Sequence, residues 1–207
     1  MNKKIVFKSR RNRVWRENDI VYKQIMPHPG KSFDPCQIAA FEADMLKKLY
    51  NNGVYVPKVI SVENNLLAME YIESVTLTDY IEAAETGAEQ IFSDVIVENL
   101  VNWFETFYAA LQKDDIRGDV NCRNFLIALG GKIAGVDFET SYTGNRETDL
   151  GKLIAFILTY APQHTSYKKY LTDILYRQFL SRFNLDPDLI EEEKNRELND
   201  IMKRRNT

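Results

Sequence analysis

The chain is poor in the residue types behind several common chemistries. Its 207 residues hold two histidines, His28 and His164. That is too little for a histidine-based zinc site or a Ser-His-Asp triad. Two cysteines, Cys36 and Cys122, stand far apart and in no metal-type spacing. A reduced, cytoplasmic setting is the simplest expectation. No stretch approaches the roughly 20 apolar residues of a spanning helix. No apolar run of signal-peptide length opens the chain. Internal repeats, long linkers and low-complexity tracts are also missing.

What is present suits one compact domain, or two small lobes sharing a cleft. The apolar share is 44%, enough for a core, and the charged share is an ordinary 28%. The net charge of −3 is unevenly spread. Residues 1–31 carry nine Lys or Arg against Glu17 and Asp19, a balance of +7 that leaves −10 for the remainder. A basic segment suits a polyphosphate, nucleic acid or an acidic membrane, or is simply a solvated face.

Residues 4–26 read as strands around a basic turn, Ser9-Arg10-Arg11-Asn12. Pro27, Pro29 and Gly30 end them. Asp34 as N-cap and Pro35 at the first position predict a helix that stops before Gly53. Its apolar stripe reads as Ile38, Phe41, Met45, Leu46 and Leu49. A hairpin follows over 59–72, turning at Glu63-Asn64-Asn65. The pattern then becomes helical. Ile91, Phe92, Val95, Ile96, Leu100, Trp103, Phe104, Phe107 and Leu111 recur at helical spacing within 88–112. A second hairpin is expected from Asn124 to Phe138, with further helices at about 147–160, 165–183 and 187–205. The last has acids early and Lys203-Arg204-Arg205 late, an order that suits the helix dipole.

Four pieces carry the chemistry. Lys23 lies in a β-rich strand. Glu42 sits on or beside the apolar stripe of its helix, where an unpaired carboxylate is costly. A Lys23–Glu42 ion pair explains both positions together. Separately, Lys23 is an ordinary strand-edge lysine and Glu42 a stripe-edge glutamate. The third piece is Arg117-Gly118-Asp119, with Asn124 five residues after Asp119 and an apolar strand beyond. The fourth is Val136-Asp137-Phe138-Glu139, an acid ending the return strand. The hairpin can bring Asn124 and Asp137 to one end, with Asp119 on the loop leading in. Oxygen donors converging there suit Mg²⁺. As separate residues they read as turn or cap positions.

In this order the pieces resemble the atypical branch of the protein kinase-like superfamily: aminoglycoside phosphotransferases, related small-molecule kinases and the compact Rio-type kinases. The His-Gly-Asp pattern with its following Asn is similar to Arg117-Gly118-Asp119 and Asn124. The metal-binding segment is similar to Val136-Asp137-Phe138-Glu139. The first-helix and hinge segments are similar to Phe41-Glu42-Ala43-Asp44 and Leu67-Ala68-Met69-Glu70-Tyr71-Ile72. A late Asp-Leu is similar to Asp149-Leu150. The resemblance spans roughly residues 5–160.

It implies an α+β, two-lobed protein kinase-like fold. Residues 1–72 would form a sheet-plus-helix lobe and 73–207 a mainly helical one. A cleft would hold Lys23, Asp119, Asn124 and Asp137. ATP would bind with its phosphates on Lys23, oriented by Glu42, and adenine against Glu70, Tyr71 and Ile72. Mg²⁺ would be held by Asn124 and Asp137. Asp119 would serve the acceptor hydroxyl, with Asp149 behind the loop holding its backbone and Arg117. Three departures stand out. No Gly-rich loop precedes Lys23, so Ser9, Arg11 and Asn12 would meet the phosphates. Arg117 replaces the usual His. Eleven residues between Asp137 and Asp149 leave no room for a eukaryotic-type activation loop. The acceptor is a hydroxyl on a protein or a small molecule. The alternatives are a catalytically silent kinase fold used as a binding module, and a nucleic-acid binder. The latter lacks an aromatic RNA-reading or helix-turn-helix motif.

Overall fold

A computed structural model describes residues 4–9, 11–27, 34–87, 93–112 and 115–205. Arg10, His28, Pro29, Gly30, Ile91 and Phe92, named above, lie outside the described residues. The chain divides into two units. The first runs to Glu73 and takes in Gly135–Glu139, which the sequence reading places with the helical part. The second comprises Ser74–Ala134 and the chain from Thr140.

The first unit is an antiparallel sheet with one helix. Its strands are β1 (Ile5–Phe7), β2 (Arg13–Glu17), β3 (Ile20–Gln24), β4 (Val59–Glu63) and β5 (Leu66–Glu70), in the order β1-β2-β3-β5-β4. The register sets Lys23 opposite Val14 on one side and Leu67 on the other, making β3 an interior strand. Helix α1 (Pro35–Asn51) packs on β4 and β5. Its N-cap Asp34 accepts a 2.9 Å bond from the Cys36 amide, and Pro35 costs nothing at a position with no helical N–H bond to make. The helix stops at Gly53, whose φ of +80° suits glycine. Its buried stripe is Ala39, Glu42, Ala43, Leu46 and Leu49. That corrects the apolar reading: Phe41 is exposed, and Glu42 occupies the middle of the packed face. A hydrophobicity pattern cannot register a carboxylate that is buried because it is paired.

The second unit is mainly helical. β6 (Ser74–Thr76), β8 (Phe125–Ala128) and β9 (Ile133–Gly135) form a small sheet, and β7 (Asp115–Ile116) pairs with β10 (Tyr142–Thr143). Helices α2 (Leu77–Glu85), α3 (Ser93–Ala110), α4 (Arg146–Thr159), α5 (Ser166–Arg182) and α6 (Pro187–Arg205) pack around them. On α3, Val95 is exposed, while Val97 and Val101 join Ile96 and Leu100 in the core. Trp103, Phe104 and Phe107 are buried with Phe125 and Phe179 as an aromatic cluster, with ring centroids 5.1–5.5 Å apart. These aromatics are core, as their helical spacing predicts. Lys168 is fully buried. Its ammonium lies 3.0 Å from Glu85 and donates to the Tyr160 and Pro162 carbonyls, tying α5 to the end of α2. Among the described residues no helix is long and apolar enough to cross a membrane.

Candidate active site

Two groups of polar side chains stand out, one in each unit. In the first, Lys23 is 6% exposed and Glu42 1%. Lys23 Nζ lies 2.8 Å from Glu42 Oε2, 2.8 Å from Asp137 Oδ1 and 2.7 Å from Glu139 Oε1. The interior position of β3 holds the lysine, and the packed face of α1 holds Glu42. Asp137 follows β9 with φ of +65°, a left-handed conformation that Asp tolerates better than most residues. Phe138 beside it is buried, and its amide donates to Glu42 Oε1 at 3.3 Å. Asn12 closes the group. Its Nδ2 donates to Glu139 at 2.5 Å, and its Oδ1 accepts from the Met26 amide.

Burial works to lower the Lys23 pKa, but Glu42, Asp137 and Glu139 outweigh it and hold the ammonium above its ordinary value. Burial, helped by Asp137 and Glu139, pushes Glu42 up to about 7 against the downward pull of Lys23. Both shifts favour a proton. One ammonium serves three carboxylates, so the ionised group carries two surplus negative charges. The oxygens of Glu42, Asp137 and Glu139 all lie within 4.8 Å of one another. Hard, closely set oxygen donors with surplus charge fit Mg²⁺.

In the second unit the Asp119 loop is built on Asp149. This residue is fully buried in the first turn of α4 and accepts from the amides of Arg117 at 2.8 Å and Gly118 at 2.9 Å, and from the Tyr108 hydroxyl at 3.0 Å. Burial raises the Asp149 pKa, and those same donors counter it. Gly118 has φ of +78°, and an added Cβ would lie 2.4 Å from the Tyr142 ring and 2.6 Å from the Thr140 carbonyl oxygen. No other residue fits there. Arg117 is buried, its guanidinium over the rings of Phe125 at 4.9 Å and Trp103 at 5.5 Å, and it donates to the Asn124 carbonyl. A neutral imidazole in this place would forgo that charge-on-ring contact. Asp119 accepts from the Asn121 amide, and Asn124 Nδ2 donates to the Asp119 carbonyl at 3.4 Å.

Of the other residues read as nucleotide-binding, Asn12 joins the Lys23 group. Ser9 Oγ accepts from the Asn12 amide at 3.3 Å, and Arg11 is exposed beside it. The amides of Glu70 and Tyr71 are committed to the carbonyls of Lys58 and Asp19, both at 2.9 Å, and Arg16 covers the Tyr71 ring. Ile72 is buried. The sequence reading passed over Glu139 and Tyr108 as site residues. Glu139 had a signal: it is a second acid two residues after Asp137 in the same Asp-Phe-Glu segment. Tyr108 had none apart from its helical core spacing.

A family model described as the RIO domain matches residues 3–148. The EKC/KEOPS complex subunit BUD32 of Encephalitozoon cuniculi (strain GB-M1) is 30% identical over 110 residues, which are 52% of this chain and 49% of that protein. The chain thus spans about half the length of that curated relative. A solved structure of the Rio2 kinase from Chaetomium thermophilum, an ADP/Mg²⁺-phosphoaspartate complex, aligns with 15% identity and a TM-score of 0.49, covering 92% of this chain and 59% of that one.

Proposed function

The chain belongs to the RIO domain family, and on that premise we propose that it is an ATP- and Mg²⁺-dependent phosphotransferase acting on a hydroxyl acceptor. One observation carries the reading: a buried lysine is held by a helix carboxylate and by the acid of an Asp-Phe-Glu segment. Such a group is costly to bury and a weak source of stability. Its value lies in presenting a fixed cation and metal-binding oxygens to a polyphosphate.

In this reading Lys23 binds the α- and β-phosphates and Glu42 orients it. Asp137 and Asn124 hold Mg²⁺, which when bound offsets the charge of the triphosphate. Adenine lies against Glu70 to Ile72, and Ser9, Arg11 and Asn12 lie along the phosphates. Asp119 takes the proton of the acceptor hydroxyl as its oxygen bonds to the γ-phosphorus. The bridging P–O bond breaks and ADP leaves. Asp149 and Arg117 keep the loop in place. The acceptor is a protein or small-molecule hydroxyl, and the setting is cytoplasmic. The relative named as a complex subunit supports placing this catalytic unit beside a protein partner.

Calorimetric titration with ATP, with and without Mg²⁺, tests the nucleotide site. Lys23→Met should weaken binding under both conditions, and Asp137→Asn should remove the Mg²⁺-dependent part. Affinities equal to wild type in both variants would remove these residues from the site.

A further inference from the structure

A polar cavity of about 520 Å³ lies wholly within the second unit, lined from β10, the first turns of α4 and one side of α6. Its walls are set by close packing. A Cβ on Gly151 of α4 would lie 2.7 Å from the Lys194 amide nitrogen and 2.9 Å from the Ile190 carbonyl oxygen of α6, so only glycine admits this approach. Lys152, the next residue, lines the cavity and reaches the loop of Asp119. Its Nζ donates to the Gly118 carbonyl at 3.2 Å and to the Tyr142 hydroxyl at 3.3 Å.

The lining carries three acids, Glu193, Glu197 and Asp200, and three bases, Lys152, Arg196 and Arg204. Glu193 pairs with Arg196 and Glu197 with Arg204, both at 2.5 Å, and Asp200 pairs at 3.4 Å with Lys203, which lies outside the lining. Among the described residues Lys152 makes no ion pair. Its two described bonds go to a carbonyl and a hydroxyl, and an ammonium has three donors. A part-buried cation with a donor to spare, in a concave site of small-molecule size, favours an anionic oxygen group. Its tie to Gly118, one residue before Asp119, joins that group to the loop that would serve the acceptor.

We propose that this cavity binds an anionic acceptor, holding its phosphate or carboxylate group on Lys152. Only the word acceptor rests on the phosphotransferase reading; the binding site does not. Lys152 belongs to the second unit, whereas the nucleotide phosphates are assigned to Lys23 in the first.

The test titrates the full chain with inorganic phosphate and, separately, with acetate, followed by amide NMR and calorimetry. At least one probe should bind and shift the amides of Tyr142, Asn145 and Lys152, a readout that needs no variant. Lys152→Met should weaken that binding about tenfold or more, the usual effect of removing a charged hydrogen-bond donor. Lys152→Arg should keep it within a few fold, and in Lys23→Met the shifts at Tyr142, Asn145 and Lys152 should persist even where phosphate binding at Lys23 is lost. Whichever probe binds tells phosphate from carboxylate. Wild type binding Mg²⁺-ATP but neither probe at tens of millimolar overturns the inference and leaves the kinase reading standing. Shifts at those amides that survive Lys152→Met, or vanish in Lys23→Met, also overturn it. Probe binding without nucleotide binding supports the cavity and removes the kinase reading.

Discussion

Tyr108 shows how much of the site is held from behind. Its hydroxyl is one of three described donors to the buried Asp149, whose other two bonds shape the loop before Asp119. Tyr108→Phe leaves a buried carboxylate short of a donor. The expected loss is about 1–2 kcal/mol of stability, measured by denaturant unfolding near neutral pH. Burial and the Asp149 charge hold the Tyr108 pKa well above its ordinary value of 10. The folded state therefore keeps a proton that the unfolded chain releases above pH 10. The associated stability is present below pH 10 and is lost as pH rises beyond it. The Phe variant should lose less stability than wild type between pH 9 and 11. A variant as stable as wild type throughout would show that the bond contributes nothing. At this scale the sequence was legible where a residue contradicted its pattern. Lys23 in a strand and Glu42 on a helix stripe drew attention because each is costly unless paired. Tyr108 fits its apolar helix, so its hydrogen bond is a tertiary fact that no pattern announces.

Helix α4 carries Asp149, and its packing on α6 depends on Gly151. Gly151→Ala forces a Cβ to 2.7 Å from backbone. The two helices must separate, at a cost of roughly 1–3 kcal/mol. The melting temperature should fall by several degrees, as scanning calorimetry would show. An unchanged value would mean that α6 is not tightly docked. The start of α2 offers a milder test. Thr76 and Asp79 form a reciprocal capping box, with Thr76 Oγ1 accepting from the Asp79 amide at 3.1 Å. Thr76→Ala should cost about 1 kcal/mol in chemical unfolding. Legibility of elements followed their length and end signals. The reading of 187–205 coincides with α6, because Pro187 and the terminal charges mark both ends. The apolar pattern of α1 agrees with the buried stripe at Leu46 and Leu49 but is one position off at Phe41, which is apolar yet exposed. No element was assigned over 74–85, although Thr76-x-x-Asp79 is a start signal, because α2 is only nine residues long. The two-residue strands β7 and β10 are too short to show alternation.

Across the whole molecule, family membership rests on the RIO domain match over residues 3–148, while the sequence resemblance rests on the order of weak motifs. Lys23, Glu42, Asp119, Asn124, Asp137 and Asp149 appear in one sequence, and the RIO domain match runs through nearly all of them. That order was legible because chain order is what a sequence states directly. The return of Gly135–Glu139 to the first unit was not, because a hairpin does not say which unit each end joins. The proposal that the molecule transfers phosphate, rather than merely binding nucleotide, turns on Asp119. A carboxylate that handles a proton in the transition state contributes typically about 10²- to 10⁴-fold in rate and little to nucleotide affinity. The decisive measurement is Mg²⁺-dependent turnover of ATP, by transfer to acceptor, autophosphorylation or hydrolysis, in wild type and Asp119→Asn. The account predicts turnover in wild type that collapses by that factor in the variant, with Mg²⁺-ATP affinity and melting temperature nearly unchanged. Wild-type turnover in Asp119→Asn, or a wild type that binds Mg²⁺-ATP and never turns it over, would contradict it.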